Sequence, residues 1–332
     1  MIELLSPAGS MEALRAAVQN GANAAYLGYD QFNARMNAKN FSADELQEAI
    51  VYCHVRGVAV HLTLNTLVAD REMARAADVI RLAATLGVDA FIVQDIGMVQ
   101  LCREIAPNVA VHASTQMSIH SLEGVIAAAE LGCSRVVLSR ELPREEIAAI
   151  CRRSPIEIEV FVHGALCMCY SGQCYLSGVI GRRSGNRGQC AQPCRLPYEL
   201  IDEQGREISA PGRGRPLCPR DTCTTDLLPQ LVDTGASALK LEGRMKRPEY
   251  VAVVTKAYRA TLNGKRVTQA DMEELERVFS RQGFTQGYYL GQKGQEMFGT
   301  RQEGEDAKEL FAAARATYEN GEAQLVPVHI TG

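Results

Sequence analysis

Short apolar runs alternate with amphipathic stretches of helical spacing along this chain, and that alternation limits its fold more than any other feature. Ile2–Leu5, Ala24–Gly28, Val58–Leu64, Ala90–Val93, Val109–Ala113, Arg135–Leu138, Glu157–Val162 and Ser237–Leu241 read as strands. Helical patterns cover 10–20, 43–56, 71–86, 99–105, 122–131, 144–151 and 225–232. Ser10 is placed to cap the first helix, and Gly21 and Gly87 to stop the helices before them. A strand–helix unit repeated eight times predicts a parallel sheet covered by helices. The strands are short and mostly apolar, as burial of both faces requires. Eight units is the number that closes, so the expected fold is a (β/α)8, TIM-like barrel, with a doubly wound open sheet as the alternative.

In a barrel the C-terminal strand ends share one rim, where active sites lie. Polar residues gather there: Asn65, Gln94, Asp95, His112, Ser114, Gln116, Arg140, Glu141, His163, Glu242 and Arg244. Loops are polar anyway, and that is the plainer account of any one of them. The recurrence of His, Gln, Arg and Glu at one topological position is harder to explain that way. The barrel is expected over 1–250, with an insertion at 164–224 between the seventh and eighth strands. Residues 251–332 then form a helical extension, with a helix over 306–320 and a strand-like Val326–Ile330 that opens a possibly truncated β domain.

The insertion differs from the rest in composition. Seven of the eleven cysteines fall within it: Cys167, Cys169, Cys174, Cys190, Cys194, Cys218 and Cys223. The chain shows no secretory leader pattern and no membrane-length apolar run, which points to a reducing, cytoplasmic setting. Thiols in such a compartment serve metals or redox chemistry before disulfides. Soft thiolates on a glycine-rich loop suit zinc or an iron–sulfur cluster, and the absence of paired CxxC motifs favours the cluster. Cys53, Cys102, Cys133 and Cys151 lie in or beside helical stretches and read as small buried hydrophobes. The formal net charge of −4 argues against a generally basic nucleic-acid binder but allows a local basic surface. Arg182, Arg183, Arg187 and Arg195 form such a stretch, read either as a phosphate or carboxylate clamp or as a solvated charged loop.

Several long motifs, in order, make a resemblance specific. Glu159–Gly178 (EVFVHGALCMCYSGQCYLSG), Ser184–Arg195 (SGNRGQCAQPCR), Leu239–Lys246 (LKLEGRMK), the opening LLSPAGS and Phe32–Ser42 (FNARMNAKNFS) resemble the collagenase-like peptidase family U-32. The C-terminal FSRQGFTQGYYLG resembles the longer members, of the ribosomal RNA cytidine hydroxylase type.

The resemblance implies hydroxylation without molecular oxygen, on a tRNA uridine, a ribosomal RNA cytidine or a ubiquinone precursor, with prephenate as hydroxyl source. It implies a 4Fe-4S cluster on Cys167, Cys174, Cys190 and, as fourth ligand, Cys223, with Cys218 its rival; Cys169 and Cys194 are extra thiols. Prephenate carries two carboxylates and needs forked cations, for which Arg140 and Arg244 are the first choices and Lys240 a weaker one. Glu159 and Glu242 are candidate acid–base groups and His163 a candidate proton donor or acceptor, though buried ion pairs account for the two glutamates equally well. His112 and Gln116 are candidate substrate contacts. Arg182, Arg183 and Arg187 are candidate phosphate contacts for RNA. Two other readings remain: a peptidase using His163 with Cys167, and a non-catalytic iron–sulfur RNA scaffold. The chain has no HExxH and no GxSxG motif, and a cysteine that ligates iron is not a free nucleophile.

Overall fold

The first apolar run becomes strand β1 (Glu3–Pro7), and the chain turns at once into helix α1 (Met11–Gln19). Ser10 caps that helix by accepting the Ala13 amide at 3.2 Å, satisfying a donor the first turn leaves free. The plan repeats through β2 (Ala24–Gly28), α2 (Ala43–His54), β3 (Ala59–Leu64), α3 (Met73–Leu86), β4 (Ala90–Val93) and α4 (Ile96–Ile105). It continues with β5 (Ala110–Ala113), α5 (Leu122–Leu131), β6 (Arg135–Val137), α6 (Arg144–Arg153) and β7 (Glu157–Gly164). The insertion then contributes a short helix, α7 (Leu176–Gly181), and a strand, β8 (Asp221–Cys223). After α8 (Leu228–Val232) come β9 (Ala238–Leu241), α9 (Pro248–Leu262), α10 (Gln269–Val278), β10 (Phe284–Thr285) and α11 (Lys308–Glu319). This computed structural model describes residues 2–36, 39–209, 214–280, 283–299 and 307–319. The expected strand at Val326–Ile330 lies outside them.

β1 pairs in parallel with β2 on one side and β9 on the other, and β9 returns to β7. The eight parallel strands β1–β7 and β9 therefore form a closed barrel, and the open-sheet alternative falls because both of its edges are bonded. β8 runs antiparallel to the end of β7, with Cys223 opposite His163, and β10 pairs with β8. Both lie outside the closed barrel, and neither was expected from the sequence. α9 packs on α1 and β1 as the helix of the last unit. α11 packs on α9 and α1, held by Arg315 to Glu249 at 2.6 Å and Asn20 to Thr317 at 2.9 Å. Helices α9 and α11 are thus built onto the barrel wall.

Strand residues alternate between the helix layer and the lumen. Leu4, Leu27, Leu62, Phe91, Val136 and Leu239 pack outward into the main core. Leu5, Ala24, Tyr26 and Ile92 form a much smaller apolar cluster apart from it. The adjoining lumen is polar. Arg135 bonds Glu3, Glu157 and Glu159, Lys240 bonds Glu159, and the His61 and His112 rings meet edge to face at 5.0 Å.

Candidate active site

The insertion lies across the C-terminal mouth of the barrel. At one side Ser118 Oγ donates to the Ser171 carbonyl, Gln173 donates to Ser118 Oγ at 2.8 Å, and Ser171 bonds buried Glu141. Gly172 has φ +82°, and a Cβ there would collide with the Gln116 carbonyl, so this close approach requires glycine. At the other side the Leu67 amide donates to the Asn186 carbonyl, and Gly188 abuts the Asn33 carbonyl and Met36. The cover thus rests on the loops after β2, β3, β5 and β6. Arg195 ties its two ends together by donating to the carbonyls of Leu166 and Pro219 and to Cys218 Sγ.

Beneath it is a recess lined by Tyr26, Arg35, Thr63, Asn65, Gln116, Arg140, Phe161, Lys240, Glu242 and Arg244, among others. Four of these are cations and one is a carboxylate. Glu242 is held between Arg35 at 3.1 Å and Arg140 at 3.5 Å. Burial alone would raise its pKa, but the two guanidinium charges outweigh that and hold it at about 2. Arg140 also stacks over Phe161 at 4.0 Å and donates to the Ala165 carbonyl. Lys240 is bound to Glu159 at 2.8 Å and lies 4.5 Å over the Tyr26 ring.

Arg244 differs from the other cations. It is buried and, among the described residues, bonds only the neutral oxygens of Asn33 and Thr63. Burial, then repulsion from Arg35, pulls its pKa down to about 10. Its Nε and that of Arg140 are buried with no acceptor among the described residues. Gly28 makes room for it, because a Cβ there would sit 2.8 Å from Nη1.

Of the expected residues, Arg140, Arg244, Lys240, Gln116 and Glu242 meet in this recess. Others do not. Glu159 is fully buried below the recess, with its two oxygens taken by Lys240 and, at 3.1 Å, Arg135; it is a structural counter-ion held at about 2, the attraction of those cations overcoming burial. His112 is sealed against His61, its pKa depressed by burial and by His61. His163 faces away from the recess, among Tyr250, Tyr258 and Phe284, where burial and then Lys246 depress it to about 3. Sealed there, it has no route to a proton in the recess and none to a Cys167 nucleophile. Arg187 grips Glu72 with two bonds of 2.7 and 2.8 Å, so its guanidinium is used within the chain. Arg182 and Arg183 are exposed, with no side-chain partner among the described residues. Arg35 is the recess cation that sequence reasoning missed; its only signal was membership of the Phe32–Ser42 motif.

The thiols fall into two groups. Cys167 and Cys190 are exposed and Cys174 half-buried in the cover, and Cys167 is near enough to Arg35 for its charge to act on it. Cys194 is half-buried within electrostatic reach of those three, which, after burial itself, help raise its pKa. Cys223 is fully buried in β8, 3.3 Å from Thr225 Oγ1 and 3.9 Å from Tyr258 Oη. Among the described residues no three His, Cys, Asp or Glu groups are already gathered at metal-binding distance. In donor chemistry and neighbourhood Cys167, Cys174 and Cys190 fit a cluster; Cys223, as placed, faces the barrel wall. Cys53, Cys102 and Cys133 are buried and Cys151 partly so, all with thiol pKa values pushed up to about 11 or 12 by burial.

Among the described residues no helix is long and apolar enough to cross a membrane. The chain matches Peptidase family U32 over residues 9–299. It is 42% identical over 262 residues to the 23S rRNA 5-hydroxycytidine C2501 synthase of Escherichia coli, covering 79% of this chain and 39% of that protein. It is 36% identical to tRNA hydroxylation protein P1 of Bacillus subtilis, covering 90% of this chain and 73% of that one. A protein named collagenase from Porphyromonas gingivalis is 35% identical, with 88% and 74% covered. The chain therefore spans well under half of the first relative and about three quarters of the other two. With a barrel mouth covered by the family's cysteine motifs and a match across nearly all of its described length, the chain belongs to peptidase family U32.

Proposed function

We propose that this chain is the barrel of an oxygen-independent RNA hydroxylase that forms 5-hydroxycytidine or 5-hydroxyuridine, with prephenate as hydroxyl source. The observation that carries this reading is the charge of the recess: four cations face one lining carboxylate, and two of the guanidinium groups have an Nε without an acceptor among the described residues. Such a site suits a small dianion gripped by arginine forks. Relatives named for ribosomal RNA and tRNA hydroxylation support the RNA half of the reading.

Arg244 and Arg140 take the two carboxylates, and Arg35 with Glu242 keeps Arg140 in position. Glu242 stays ionised at neutral pH, so it serves as a counter-charge and hydrogen-bond acceptor and not as a proton donor. Gln116 and Thr63 offer polar atoms to a hydroxyl or a base edge. The cover screens the recess from bulk water, which strengthens each of these charges. A 4Fe-4S cluster would be held by Cys167, Cys174 and Cys190, with Cys223 as fourth thiol once turned from Thr225. When bound, it supplies a Lewis-acidic or electron-transferring centre at the cover. The peptidase reading loses its general base, because His163 is sealed in the helix layer.

Mass spectrometry of nucleosides from ribosomal RNA and tRNA of a deletion strain tests the proposal. One 5-hydroxypyrimidine should disappear, return with the wild-type gene, and stay absent with Arg244→Ala. An unchanged nucleoside profile in the deletion strain would refute it.

A further inference from the structure

The outer face of the cover is unlike the rest of the surface. No Asp or Glu occurs from residue 160 to residue 198 in a chain of net charge −4. Two acids reach it from other segments: Glu141 is buried and bonded to Ser171, and Glu72 is taken by Arg187. Arg182 and Arg183 stand exposed at the end of α7 without a side-chain partner among the described residues, and Val179 and Ile180 before them are 81% and 63% exposed. Tyr175, at the start of the same helix, is 65% exposed. Tyr170 is half-exposed, its ring 5.7 Å from that of exposed His120, and near enough to Tyr288 to act on that phenol. Exposed apolar groups grouped beside cations are the usual mark of an interaction surface.

We infer that this strip binds the single-stranded RNA on either side of the nucleotide being modified. The inference rests on the RNA reading above and deepens it. A base inside a duplex cannot reach a recess beneath a cover, so the target nucleotide must leave its stack, and its neighbours lose stacking partners. Exposed tyrosines replace those partners, and every base has a face to offer them. The exposed Arg182 and Arg183 hold the phosphates. A second copy of this chain would bring the same cations against themselves, so charge complementarity favours a polyanion.

The test is an anisotropy titration of a labelled, mixed-sequence single-stranded RNA, and of its duplex, at two salt concentrations. The proteins are wild type, Tyr170→Ala, Tyr175→Ala and the Arg182→Ala/Arg183→Ala pair. All four side chains are exposed, so unchanged thermal unfolding is expected. Each tyrosine variant should lose roughly tenfold in affinity for the single strand at an unchanged salt slope. The arginine pair should lower the salt slope by about 0.7 for each phosphate contact removed. Wild-type binding of the single strand that all variants retain would overturn the inference and leave the RNA reading intact. A wild-type protein that binds neither RNA would overturn both. Wild-type preference for the duplex, or a sedimenting dimer dispersed by Tyr175→Ala, would overturn the single-strand role alone.

Discussion

Replacing Arg244 by Met separates a binding role from a structural one, because the two predict opposite signs. The guanidinium is buried, has no carboxylate of the described residues within ion-pair distance, and bonds two neutral oxygens. The drop of its pKa to about 10 corresponds to about 3 kcal/mol of strain in the charged form. Against this, the variant forfeits two hydrogen bonds to neutral oxygens, which costs about 1–3 kcal/mol. Asn33 Oδ1 keeps another donor, the Arg35 amide at 2.9 Å, so the lower part of that range applies. The ligand-free variant should therefore unfold within about 2 kcal/mol of wild type and is as apt to gain stability as to lose it. Ligand binding should suffer far more, since losing one partner of a buried charge pair costs about 2–5 kcal/mol. With prephenate at a hundred times the wild-type Kd, binding should stabilise wild type by about 2.7 kcal/mol. A thirtyfold weaker variant would retain about 0.9 kcal/mol of that. Urea unfolding with and without the ligand reads both quantities. A variant destabilised by more than 3 kcal/mol that keeps the full ligand shift would refute the reasoning and make Arg244 a structural cation.

Protein purified anaerobically should be brown, and Cys174→Ala should bleach it; stoichiometric zinc without iron in that preparation would overturn the cluster assignment. Single Ser variants of Cys53, Cys102, Cys133 and Cys151 should keep wild-type iron, because these thiols lie in or beside the helix layer with raised pKa values; loss of iron from a folded variant would reassign the ligands. His61 is depressed to about 4, chiefly by burial, while the unfolded chain protonates near 6.5. Its neutral form is therefore at no disadvantage above pH 6.5, and stability should fall by roughly 3 kcal/mol as pH drops from there to about 4, with His112 adding in the same direction. A flat urea midpoint across that window would show that both rings reach water or a proton acceptor in the folded state.

The barrel was legible because its signals are local. Apolar strands, the Ser10 cap and the Gly87 stop are each read within a few residues, and eight such units leave little choice of architecture. Direction within the lumen was legible only where the alternation is unbroken. Glu159 and Phe161 both face inward, and strict alternation would add His163 to the recess. The pairing of β7 with β9 shifts register between Phe161 and His163, and such an irregularity changes the face a side chain meets. His163 is carried into the helix layer by it, and no property of the residue itself announces this. Arg35 was invisible for a different reason. It lies on an irregular loop where periodicity says nothing, and its partner Glu242 is 207 residues away. Arg187 failed in the same manner, since the acid that consumes its charge, Glu72, is 115 residues back. Long-range pairing of charges is what composition cannot show, and in this barrel it decides the matter. It makes Glu159 a buried counter-ion and Arg187 a strut, and it leaves Arg244 as the recess cation with no anion of the described residues within ion-pair distance.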